Sequence, residues 1–102
     1  MTLRLLTLAM AAAGIAAAAT APASATGKMT CDAPQAQWKG IPALEAQLKK
    51  DAWEIRKSKV DGGCYEVYGT DPDGNRVEAY FHPVTFKKLL VSRRGEILFR
   101  AN

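Results

Sequence analysis

His82 is the only histidine in the chain, so any Ser-His-Asp or Cys-His chemistry has to run through it. Such a constellation also needs a nucleophile and an orienting group within reach. Nothing in the sequence marks either one, and a single histidine does not make the usual multi-ligand zinc site. Next to Pro83, at the end of an alternating stretch, His82 reads as a partly exposed turn residue. Cys31 and Cys64 lack both the Cys-x-x-Cys spacing of a redox motif and the Cys-x-x-Cys-His of covalent haem attachment. Asp71, Asp73 and Asn75 alternate around Gly74 and faintly suggest a calcium loop. An EF-hand places glycine at position six and glutamate at twelve. Counting from Asp71, Gly74 falls at four and His82 at twelve, so the segment is a hairpin turn. Glu66 and Glu78 resemble a carboxylate pair on neighbouring strands. With Arg56 and several lysines nearby, a cross-strand charge ladder explains them more simply, and a catalytic pair would also need a cleft. No catalytic residue, cofactor or metal ligand is assigned, and the protein is expected not to be an enzyme.

The remaining candidates suit binding rather than catalysis. Tyr68 and Tyr80 alternate with charged residues, and exposed tyrosines among charges are favoured at interfaces. Ordinary cross-strand packing is the competing account. Lys87-Lys88 and Arg93-Arg94 form the most basic part of the chain. They read as a solvated edge that discourages strand-to-strand aggregation, or as a docking site for an acidic partner or an anionic headgroup. The candidate partner-binding surface is the wet sheet face of Arg56, Glu66, Tyr68, Glu78 and Tyr80, or the basic edge with Lys87, Lys88, Arg93 and Arg94; an edge strand that captures an extended peptide by strand addition is a further mode.

Where the protein works follows from its first residues. Arg4 is followed by an apolar run from Leu5 to Ala19 and then by Ala21-Pro22-Ala23-Ser24-Ala25. A basic start, a short apolar stretch and small residues at the −3 and −1 positions make a secretory signal peptide. Cleavage is expected after Ala25. The run is short of the ~20 residues that a spanning helix needs, so no stable membrane span is expected after cleavage. The predicted location is periplasmic or secreted. Removing 25 residues from 102 leaves 77, with 13 Lys+Arg against 10 Asp+Glu and a net charge of +3. Positive and negative residues are interleaved, as in Lys57-Ser58-Lys59-Val60-Asp61. A nucleic-acid binder concentrates its bases in a stripe, so nucleic acid is excluded as a partner.

Such a chain forms one small domain of marginal stability. An oxidising compartment favours a Cys31–Cys64 disulfide, with free thiols or an intermolecular bridge as alternatives. Residues 26–37 read as an extended lead-in and residues 38–102 as the domain. Trp38, Ile41, Leu44, Leu48 and Ala52 recur at helical spacing, and Pro42 suits a first helical turn. A helix is predicted from Ile41 to Asp51. The rest alternates in strand fashion. Trp53, Ile55, Tyr65, Val67, Val77, Ala79 and Phe81 are expected on the sheet face that receives the helix. Glu54, Arg56, Glu66, Tyr68, Glu78, Tyr80 and His82 are expected on a wet face. Along the first strand, Lys57 falls with Ile55 and Ser58 with Arg56. Turns are expected at Asp61-Gly62-Gly63 and Asp71–Asn75. Leu89–Arg93 and Ile97–Phe99 are one last strand, or a strand and a short return. The fold class is α+β, one helix packed on a three- to four-stranded antiparallel sheet. Alternation sets Cys64 on the wet face, away from the helix. Either a bulge at Gly62-Gly63 turns it, or the lead-in wraps around a sheet edge to meet it.

The stretches Trp53-Glu54-Ile55-Arg56-Lys57, Gly63-Cys64-Tyr65-Glu66-Val67-Tyr68 and Asp73-Gly74-Asn75-Arg76-Val77-Glu78-Ala79-Tyr80 resemble a small exported PepSY-type domain. The resemblance spans roughly Trp38 to Ser92. It implies a helix packed on an antiparallel sheet, in agreement with the residue pattern. The family pattern continues as an Asp-Pro-x-Thr-Gly turn, here His82-Pro83-Val84-Thr85-Phe86. His82 and Phe86 depart from it, and phenylalanine does not take positive φ as glycine does. The resemblance implies a binding or inhibitory module related to peptidase propeptides and carries no catalytic residues. The expected function is therefore an exported protein-binding module, modulating or inhibiting an envelope peptidase. The alternative is a ligand- or redox-partner module of an envelope electron-transfer system.

Overall fold

The computed structural model describes residues 28–102. The predicted signal peptide, 1–25, lies outside them. Helix α1 runs Ile41–Lys50, one residue short of the predicted end. Gly40 caps it without a side-chain bond, and Pro42 sits in its first turn, where a missing N–H leaves nothing unsatisfied. Its end is a Schellman motif. The Trp53 N–H donates to Leu48 O at 2.9 Å and the Ala52 N–H to Lys49 O at 3.1 Å. Ala52 takes the left-handed position, φ +72°. It therefore does not continue the apolar stripe and is exposed.

Five strands follow: β1 (Glu54–Asp61), β2 (Cys64–Thr70), β3 (Arg76–Phe81), β4 (Lys88–Arg93) and β5 (Glu96–Arg100). They form one antiparallel meander in the order β1-β2-β3-β4-β5. The three- to four-strand expectation undercounts by at least one. The two C-terminal apolar stretches are separate strands, because Arg94 (φ +51°) and Gly95 (φ +82°) make a two-residue reversal between them.

Leu44 and Leu48 from α1 pack on Trp53, Tyr65, Val67, Val77, Ala79, Phe81 and Val91. Trp38 and Tyr65 meet edge to face, as do Trp53 and Phe81. Ile55 is partly buried against this cluster, so the predicted helix-side face is the one observed.

The opposite face departs from its expected wet character in two ways. A register shift in β1 falls between Ile55 and Lys57. This bulge gives Arg56 no partner of its own and reverses the alternation beyond it. Ser58 turns toward the helix and donates to Glu45 Oε2 at 2.7 Å. Lys57 turns the other way, over the Tyr68 ring. The predicted sides of Lys57 and Ser58 are thus exchanged. Second, the lead-in crosses this face. Residues Met29 and Cys31 cover Cys64, Tyr80 and Leu90 in a second small core. The Cys31–Cys64 disulfide is formed, and the Cys31 N–H donates to Gly62 O at 2.8 Å. Of the two routes considered, the chain takes the wrapping one, and Cys64 keeps the side that alternation assigns it. Gly62 and Gly63 both have positive φ. A Cβ on either would run into the carbonyl oxygen of Met29 or Cys31, so the turn serves as the floor for the lead-in. A short 3-10 turn, Gln35–Gln37, then carries the chain toward α1.

Candidate functional site

Covering part of the face opposite α1 divides the candidate residues into two groups. Glu66 and Tyr80 lie under or beside the lead-in and are only 2% exposed each. Tyr80 is therefore a core residue and not a surface contact. Its hydroxyl donates to Asp61 Oδ2 at 2.7 Å. Burial, then that bond, pushes the phenol well above its usual range. Glu66 faces Lys59, with Nζ 3.7 Å from Oε1. Burial raises its carboxyl above the usual value despite the nearby Tyr68 hydroxyl and Lys59. The Tyr68 phenol is also raised, by burial first and then by the Glu66 charge.

The uncovered end holds the second group. Arg56, Tyr68, Glu78, Arg93 and Arg94 line one hollow of about 260 Å³, together with Arg76, Val77 and Ser92. Each reaches it for a local reason. The β1 bulge frees Arg56 to lean over the sheet. Tyr68 and Glu78 are direct cross-strand partners, and Glu78 pairs with Ser92 on β4. Arg93 and Arg94 stand at the β4–β5 reversal, and Arg76 begins β3. Arg76 was not in the predicted set. Its signal was available, since Arg76 alternates in phase with Glu78 and Tyr80.

Three acids at this end or beside it are already engaged. Lys28 Nζ lies 3.6 Å from Glu78 Oε1 and 3.4 Å from Ser92 Oγ. Lys59 holds Glu66. Arg93 reaches Glu96 at 3.4 Å and donates to Asn75 Oδ1 at 2.8 Å. Lys57 and Lys59 stack on the Tyr68 ring at 5.0 and 5.8 Å. Such an arrangement can hold an anionic group by charge-assisted hydrogen bonds. Among the described residues no group of three or more His, Cys, Asp or Glu could hold a metal ion.

Lys87 and Lys88 are not part of this surface. Lys88 opens β4 and Arg93 closes it, about 16 Å apart at 3.3 Å per residue. The predicted basic edge is thus two separate clusters. It is not a sheet edge either, since β5 lies outside β4. Lys88 stacks on Phe99 at 4.5 Å. On the true edge, Ile97, Leu98 and Phe99 are 43%, 38% and 39% exposed. A register shift at Leu98 is the kind of bulge that blunts an edge against strand addition.

His82 terminates β3, and its Nδ1 accepts the N–H of Val84 at 3.1 Å and of Thr85 at 3.4 Å. Thr85 Oγ1 accepts the Lys87 N–H at 3.1 Å. Phe86 does adopt positive φ, +63°, contrary to the sequence expectation. Its ring packs against the helix-side core and under Lys39, which offsets the backbone strain. The histidine ring does in this turn what a short acidic side chain does in an Asx-type turn.

The chain matches the family model described as peptidase propeptide and YPEB domain, the PepSY type, over residues 5–90. The match spans most of the chain, which belongs to that family. No curated protein and no solved structure matches it.

Proposed function

We propose that this chain is an exported, non-enzymatic module that binds another protein and modulates a peptidase of the cell envelope. Membership of a family described by peptidase propeptides supports the reading. The observation that carries it is the open end of the second sheet face, where Arg56, Tyr68, Glu78, Arg93 and Arg94 converge on one hollow. A rigid sheet presenting tyrosine and arginine is the composition of protein contacts.

The test is capture followed by an activity assay. The purified chain is used as bait on its own envelope fraction, captured peptidases are purified, and their hydrolysis of a peptide substrate is followed as the chain is added. Dose-dependent change in rate supports the reading, and its weakening by Arg56→Glu and Arg94→Glu would assign the contact to this end of the sheet. A captured peptidase whose rate is indifferent to the chain refutes it. Tyr80 is unsuitable as a surface probe, because its removal would empty the second core.

A further inference from the structure

We infer that the hollow beside Tyr68 recognises an acidic peptide segment, held by the guanidinium groups of Arg56, Arg76 and Arg94. The inference deepens the protein-binding reading above and rests on it. The argument is a count of charge. On this part of the sheet face Glu66 is held by Lys59, Glu78 by Lys28, and Glu96 by Arg93. Among the described residues, Arg56, Arg76 and Arg94 make no ion pair, and all three are exposed. Lys57 adds a fourth cation without an acidic partner, its ammonium over the Tyr68 ring. Against these stand Glu54, which pairs with Thr70 two strands from Arg76, and Asp71 and Asp73 of the preceding turn, which line a different hollow with Trp53 and Phe99; none of the three makes an ion pair among the described residues.

Three guanidiniums lining one concavity repel one another and leave their donors to water. An anion that displaces that water gains charge-assisted, bidentate bonds. The shape selects among anions. The hollow is shallow and open and runs into a second one lined by Gly74, Asn75, Arg76, Arg93, Arg94 and Glu96. The donors therefore lie along a path rather than around a point. A path suits carboxylates repeated along an extended chain better than one small oxyanion.

The experiment is a fluorescence-anisotropy titration with a labelled peptide alternating glutamate and serine, beside its glutamine analogue. The triple variant Arg56→Gln/Arg76→Gln/Arg94→Gln is compared with Lys49→Gln/Lys50→Gln/Lys87→Gln. The second set removes the same charge from the helix and the far turn. Thermal melts establish that both fold. Exposed charge pairs are individually weak, so the arginine triple should weaken binding about tenfold. The lysine triple should change it less than about twofold, through net charge alone. Raising salt should weaken the wild type more than the arginine triple. Equal losses in the two triples, or equal affinity for the glutamine peptide, overturn the inference. The protein-binding reading is judged separately, by the rate of the captured peptidase. A peptidase still modulated by the arginine triple would leave that reading standing and sink this one.

Discussion

Reducing the Cys31–Cys64 bond should remove a large share of the protein's stability. The two cysteines are 33 residues apart, so the bond closes a loop spanning β1 and α1. Chain-entropy arithmetic for a loop of that length gives about 4 kcal/mol at room temperature. Whole domains of this size hold ~4–11 kcal/mol at 0.05–0.15 kcal/mol per residue. The bond thus accounts for between a third and all of the total. The second core gives little in exchange, since it buries only Cys64, Tyr80 and Leu90 under Met29 and Cys31. The assay is urea unfolding followed by the fluorescence of buried Trp53, with and without dithiothreitol. For a small domain, urea lowers stability by roughly 1–1.5 kcal/mol per molar. The midpoint should fall by about 3 M, or the reduced chain should already be unfolded in buffer. A fall smaller than about 1 M would refute the reasoning. It would mean that the lead-in holds its place without the covalent tie, or that the unfolded chain is compact enough to lose little entropy on closure. A Gly63→Ala variant separates these cases. Its φ of +80° strains alanine in both redox states, and its Cβ would also press on the Cys31 carbonyl; a lead-in that stays in place after reduction makes the cost equal in the two states, whereas a released lead-in makes it smaller in the reduced one.

Three more outcomes follow from local features. Leu44→Ala, at the fully buried centre of the helix-side core, should cost about 3–5 kcal/mol and show as loss of cooperative unfolding in a thermal melt. Ala52→Gly should raise the urea midpoint, by about 1 kcal/mol or less of stability, because glycine takes the left-handed C-cap without strain; an unchanged or lower midpoint would refute the Schellman assignment. Glu66→Gln tests the buried carboxyl. Its folded pKa is raised above 4.5, mainly by burial, so the folded state binds its proton more readily than the unfolded one. That contribution favours folding below pH 4.5 and is lost as pH rises through the raised value. The glutamine variant should therefore gain on the wild type between pH 4 and pH 7 in parallel urea titrations; a gap that stays constant or narrows would contradict the burial argument.

Much of this architecture was legible because period-two and period-3.6 patterns report directly on burial. Leu44 and Leu48, and Trp53 through Phe81, carry their core assignment in their spacing. The pairing of Cys31 with Cys64 needed only a count of cysteines and the expectation of an oxidising compartment. The family resemblance is carried by short motifs around β1, β2 and β3 and needs no coordinates. The candidate site was legible in part. Tyr68 and Glu78 meet because cross-strand register follows from tight turns, but that Arg93 and Arg94, read as part of a separate basic edge, join them on one hollow was not legible.

Other features were decided only by the folded chain. The bulge in β1 inserts one residue without a glycine or proline to announce it, and it alone exchanges Lys57 and Ser58 and aims Arg56 at the hollow. The burial of Glu66 and Tyr80 depends on where the lead-in lies, a contact between residues more than thirty positions apart along the chain. No local pattern encodes such a contact, since alternation tells which face a side chain points to but not what covers that face. Sequence determined the two faces of this sheet. The tertiary path of residues 28–31 decided how much of the second face remains open to bind.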